Sequence, residues 1–167
     1  AGTEPACLFV SDNLGLTWTE KPALRDQETE AWKFPAPPHV AHLKHISFHP
    51  NDPKIIFASI EQGGLYRSQD GGDSFTEITG MYNDVHRVVT KPDETSRMFV
   101  TGGEGLWLSK DSGETWDNIF SRGSEFGGYP DQLVYRPTNP NYMIVTAGQK
   151  SPGSWHREGT AETRISR

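Results

Sequence analysis

One eight-residue pattern recurs three times in this chain, and no other feature restricts its fold as much. It reads Ser11-Asp12-Asn13-Leu14-Gly15-Leu16-Thr17-Trp18, then Ser68-Gln69-Asp70-Gly71-Gly72-Asp73-Ser74-Phe75, then Ser109-Lys110-Asp111-Ser112-Gly113-Glu114-Thr115-Trp116. The shared form is Ser-x-Asp-x-Gly-x-Thr-Trp. Asn13 stands at the Asp position of the first copy, and Ser74 and Phe75 replace Thr and Trp in the second. Each copy follows a short β-type run: Leu8–Val10, Leu65–Arg67 and Leu106–Leu108. The pattern therefore falls at a hairpin turn. Asp or Asn accepts hydrogen bonds from the turn's N–H groups, Gly supplies a positive φ, and the terminal aromatic offers a large flat surface to bury between sheets.

A second element alternates with the first. Ile46–Pro53, Val88–Thr95 and Leu133–Pro140 each read as a strand ending in a Pro-containing turn. Further strands follow at 55–59, 98–101 and 142–146. The repeating unit is thus four antiparallel strands, A to D, with the Pro turn joining A to B and the Asp turn joining C to D. Four-stranded units in series are the blades of a β-propeller. The expected fold is all-β: a propeller segment of about three four-stranded antiparallel blades, part of a larger closed ring. The expected division is strands C–D of a first blade at 1–20, whole blades at 43–79 and 85–120, and strands A–C of a fourth at 129–167.

These motifs resemble the BNR, or Asp-box, repeat family, and the resemblance covers nearly the whole chain. The Pro-turn strand followed by Gly64-Leu65-Tyr66-Arg67-Ser68 is most similar to the branch holding xyloglucan-cleaving, photosystem II assembly-factor and sortilin-type propellers, and less to sialidases. The resemblance implies a structural role for the Asp-box residues Ser11, Asn13, Gly15, Trp18, Ser68, Asp70, Gly72, Phe75, Ser109, Asp111, Gly113 and Trp116. Residues 164–167 align with the strand before each box, so a ring closed by further blades or by self-association is expected.

Composition narrows the function. The net charge of −6 disfavours a phosphate-binding surface, so no nucleic-acid partner is expected. No apolar run approaches the roughly 20 residues a membrane helix needs, so no membrane partner is expected. A single cysteine, Cys7, excludes an internal disulfide and any multi-cysteine metal site. Of histidines 39, 42, 45 and 49, strand alternation separates His42 from His45 and His49, and no carboxylate is seen to converge on them, so no metal or other cofactor is expected. Nothing in the sequence names a compartment.

Topology sorts the loops. The A–B and C–D turns share one face; the D–A and B–C connections share the other, and there the connections are long, at 19–42 and 148–163. Long irregular loops are the usual place for function. Aligned strand-A starts give the row His45, Arg87 and Gln132 beside the row Lys44, His86 and Asp131. Alternation, with Ile46, Val88 and Leu133 packing between blades, turns the His45 row toward a channel mouth. Glu61, Gln62 and Glu104 stand at B–C turns of that face, and Trp155, His156 and Arg157 in its last long loop. Candidate ligand-binding residues are therefore His45, Arg87, Gln132, Glu61, Glu104, Trp155 and Arg157. The run Phe34-Pro35-Ala36-Pro37-Pro38-His39 reads as an extended polyproline spacer.

Two functions remain. The first is a scaffold that binds a glycan, peptide or protein at the channel-mouth face. The alternative is a glycoside hydrolase whose catalytic residues lie partly outside this segment. Hydrolysis needs two carboxylates across the scissile bond; Asp84, Asp131, Glu61 and Glu104 are near the favoured face, but none stands in a recognisable catalytic motif. A sialidase would need three arginines, and Arg87 is the one in place.

Overall fold

The computed structural model describes residues 1–125, 127–158 and 161–166. Arg167 and the side chain of His156 lie outside the described residues. The chain divides into two compact units, Ala1–Val85 and His86–Arg167. No helix among the described residues is long and apolar enough to cross a membrane.

The first unit holds two antiparallel sheets. Strands β1 (Leu8–Val10) and β2 (Thr19–Lys21) pair as one; β3 (His42–His49), β4 (Asp52–Glu61), β5 (Gly64–Ser68) and β6 (Thr76–Ile78) form the other, in chain order. The connection after β2 is not an irregular loop. It starts with a short helix, α1 (Pro22–Arg25), whose Leu24 is fully buried, and Trp32 turns into the core to donate its indole N–H to the Tyr66 hydroxyl at 3.0 Å. Both join Leu8, Leu43, Ile60 and Phe75 in one apolar cluster.

In the second unit, β7 (Val85–Lys91), β8 (Glu94–Gly102), β9 (Gly105–Ser109) and β10 (Asp117–Ser121) form a four-stranded sheet. Strands β11 (Tyr129–Arg136), β12 (Asn139–Gly148) and β13 (Arg164–Ser166) form a three-stranded one, with the helix α2 (Pro152–Glu158) between β12 and β13. Phe99, Leu106 and Leu133 centre the core between these sheets. Fully buried His86 crosses from β7 to β11. A carbonyl can only accept, so the imidazole Nδ1–H donates to Pro130 O at 2.7 Å, and Nε2 is left to accept from the Tyr129 hydroxyl at 3.1 Å.

The three Ser-x-Asp/Asn-x-Gly turns share one hydrogen-bond scheme. The serine Oγ accepts from the glycine N–H four residues on, at 2.8 Å in all three, and donates to the Asp or Asn Oδ1. That same oxygen accepts the N–H of Thr17, Ser74 or Thr115 at 2.9 Å. The loop thus satisfies its own backbone donors. The terminal aromatics differ. Phe75 is buried on the preceding sheet, whereas Trp18, whose sheet has none before it among the described residues, is 50% exposed.

Hydrogen bonds from the Thr115 hydroxyl and N–H hold the Asp111 carboxyl down to about 2 against opposing desolvation, with smaller help from Ser109. Since the folded value lies below the unfolded one, the contribution is complete above about pH 5 and disappears as pH falls through about 2. The group is exposed, so the effect is modest. Asp111→Asn is expected to flatten the acid limb of a thermal-melt series between pH 5 and 2; a limb of unchanged slope would assign the acid sensitivity elsewhere.

Strict alternation does not hold at the loop-proximal ends of β3 and β11. His45 pairs with Ser59 and Leu43 with Ile60, leaving Lys44 as a bulged extra residue; Gln132 pairs with Thr146 and Pro130 with Ala147, leaving Asp131 as the counterpart. Leu43 and His45 consequently point to opposite faces. The polyproline expectation also fails: 34–39 closes as a turn, with His39 at φ +64° donating its N–H to Ala36 O at 2.8 Å and its ring nitrogen 3.1 Å from Phe34 O.

Candidate functional site

Loop-face polar groups in the first unit gather around Glu61, at the end of β4. Its Oε2 lies 2.7 Å from His42 Nε2 and 3.2 Å from the Lys44 ammonium, and its side chain is 13% exposed. Glu4 approaches the other His42 nitrogen at 3.8 Å. Two carboxylates therefore do converge on His42, which alternation alone did not suggest. The bulge is what lets Lys44 reach Glu61. Asp84 is buried, with a carboxylate oxygen within 4.8 Å of that of Glu61. His45 is half-buried on β3. Beside this cluster the 25–41 loop bounds an open cleft of about 610 Å³ lined by Cys7, Arg25, Glu28, Glu30, Lys33 and His39, among others.

In the second unit Arg87 is half-buried on β7, with its Nε enclosed and without a hydrogen-bond partner. Gln132 is exposed on β11, and Glu104 is exposed at the β8–β9 turn, where its carbonyl accepts from the Asn118 amide at 3.2 Å. Trp155 lies on α2 and secures its own loop. Its indole N–H donates to Lys150 O at 2.8 Å and its ring meets Tyr129 edge-on at 6.4 Å. Arg157 is exposed on the same helix.

That anchoring shapes a polar cleft which single-residue reasoning missed. The D–A segment around Arg122 and Gly123 and the B–C segment Gln149–Ser154 border an open cleft of about 390 Å³, lined by Arg122, Gln149, Lys150, Ser151 and Ser154. The Gln149 amide nitrogen donates to Ser124 O at 3.2 Å across the two segments, while Gln149 Oε1 and Ser124 Oγ are enclosed without partners. Lys150 is 41% exposed, 3.9 Å from Glu162. Two cations, an amide and two hydroxyls thus face one space. The signal available in sequence was the polar run Gln149-Lys150-Ser151 at the start of the long loop, not its tryptophan.

Comparisons with known proteins agree on architecture. A vacuolar protein sorting/targeting protein 10 from Fusarium vanettenii is 24% identical over 153 residues, covering 90% of this chain and 10% of its own length. A xyloglucanase from Hypocrea jecorina is 24% identical over 158 residues, covering 91% and 17%. The chain thus spans under a fifth of these relatives. Among solved structures, the GH74 xyloglucanase of Xanthomonas campestris superposes with a TM-score of 0.66 at 17% identity, over 87% of this chain and 24% of the enzyme. A GH74 enzyme from Niastella koreensis gives 0.61 at 20% identity, over 89% and 22%. The propeller-segment fold and the Asp-box-like family expected from sequence hold. The Sortilin-Vps10 family model, described as sortilin, neurotensin receptor 3, matches residues 63–166, and the chain belongs to that family.

Proposed function

We propose that this propeller scaffold binds a peptide or protein ligand through its loop face, with the Arg122–Gln149–Lys150 cleft taking a carboxylate-bearing part of that ligand. The observation that carries this reading is the cleft itself: Arg122 and Lys150 line, together with Gln149, Ser151 and Ser154, a space of ligand size. The opposite face carries Asp-box turns that satisfy their own hydrogen bonds. A vacuolar sorting relative is in keeping with protein recognition.

The hydrolase reading finds less support. Glu61 is held by His42 and Lys44. Glu28 and Glu30 line the other cleft but stand in solvent, whereas a glycosidase acid sits in a sheltered pocket.

Titrating the chain with hexaglutamate, followed by amide NMR shifts, tests the proposal. Residues 122–124 and 149–154 are expected to respond, and Arg122→Ala with Lys150→Ala to weaken binding about tenfold, as loss of a charge-assisted contact would. A xyloglucan oligosaccharide serves as the parallel probe. Shifts produced by the sugar alone, or cleavage of it, would replace this reading with the hydrolase.

A further inference from the structure

One wall of the Arg122–Gln149–Lys150 cleft already has a carboxylate beside it, and that carboxylate belongs to this chain. Glu162 Oε1 lies 3.9 Å from the Lys150 ammonium. The backbone delivers it there. The Gln149 N–H donates to Ala161 O at 3.1 Å, which closes the B–C segment on itself, and the Trp155 indole N–H pins the Lys150 carbonyl within that closure. Glu162 follows the closing residue at φ +47°, a left-handed conformation uncommon for a residue with a Cβ. Strand β13 then starts at Arg164, paired with Ala147. Glycine or asparagine is the usual choice for this conformation. Here a glutamate adopts it, and its carboxylate comes to rest beside Lys150.

This pair contributes little to folding. It exceeds hydrogen-bond distance, and its side chains are 41% and 46% exposed, so water screens the attraction. The segment is closed without it, by the Gln149–Ala161 bond and by Trp155 packed on Tyr129. An unfavourable backbone conformation that serves so weak a pair points to a role other than stability.

From this we infer that Glu162 is a built-in competitor of the ligand: its carboxylate attends Lys150 until a carboxylate of the bound segment exchanges with it. The inference rests on the cleft's taking carboxylates, and it narrows the class of ligand. A tethered carboxylate competes at high effective concentration. A ligand with a single carboxylate therefore gains little at Lys150. A run of acidic residues engages Arg122 with one carboxylate and holds the next against Lys150, where it displaces Glu162. Glu162 thus sets the specificity of the cleft for clustered acidic residues.

The test titrates hexaglutamate into the intact chain and into Glu162→Gln, with Glu125→Gln as the control. Glu125 is exposed on the D–A segment, so the control removes the same charge near the cleft without removing the competitor. Glu162→Gln is expected to bind about three- to fivefold more tightly than the unaltered chain, and Glu125→Gln to show less than half of that gain. In the unaltered chain labelled with 13C-glutamate, the Glu162 side-chain carbonyl signal is expected to move in step with saturation. Binding with no gain in Glu162→Gln, equal gains in the two variants, or a Glu162 signal unmoved at saturation overturns the inference and leaves the carboxylate reading of the cleft standing. Absence of binding by all three proteins overturns both.

Discussion

Gly105→Ala is expected to destabilise the chain by about 3–5 kcal/mol, combining backbone strain with an unrelieved clash. Gly105 opens β9 at φ +121°, and a Cβ there would lie 1.8 Å from the Phe120 carbonyl oxygen. That oxygen belongs to the backbone of β10, so no rotamer change removes the conflict; β10 has to leave β9. Gly71→Ala is the control. Its φ of +80° is also unfavourable for an L-residue, though less so, and nothing lies within 4 Å, so strain alone remains, about 1–2 kcal/mol. Urea unfolding of the two variants separates the terms, and equal midpoints would show that β10 yields at little cost.

Trp32→Ala is expected to cost about 3–5 kcal/mol, the range for a large buried aromatic. Trp32 is 5% exposed, meets Tyr66 edge-on at 5.4 Å and hydrogen-bonds its hydroxyl. The substitution leaves a cavity and deprives that hydroxyl of its donor. Trp32→Phe should retain most of the stability. The loss should also be visible locally, since Trp32 is what ties the 25–41 loop to the sheet: hydrogen exchange at 25–41 is expected to accelerate more than exchange in β4. Uniform acceleration would mean that the loop and the sheet open as one unit.

The sheets were legible in the sequence because their information is local. A strand, a turn residue with a left-handed backbone and an acceptor two residues after a serine are all written within about ten positions. The Ser109-x-Asp111-x-Gly113 spacing specifies a network that closes on itself. What could not be read was non-local. Gln149 and Ser124 are 25 positions apart, and their segments meet through the Tyr129–Gly148 strand pairing and the packing of Trp155 on Tyr129. Long connections looked irregular because Leu24 and Trp32 reveal their inward direction only against a core. The Phe34–His39 run misled for another reason. Proline composition suits an extended spacer and a turn alike, and the choice rests on His39 adopting φ +64°.

The bulges at Lys44 and Asp131 bear on how a strand can meet the core on both sides of a break in its alternation. Each inserts a phase slip between the loop-proximal tip of the innermost strand and the remainder. Beyond the slip, Ile46 and Leu133 keep their places in or against the apolar core. Before it, the tip follows its own alternation. The in-and-out order on which sheet packing depends is therefore reset within one continuous strand: Leu43 before the slip and Ile46 beyond it both meet the core, although unbroken alternation would place them on opposite faces.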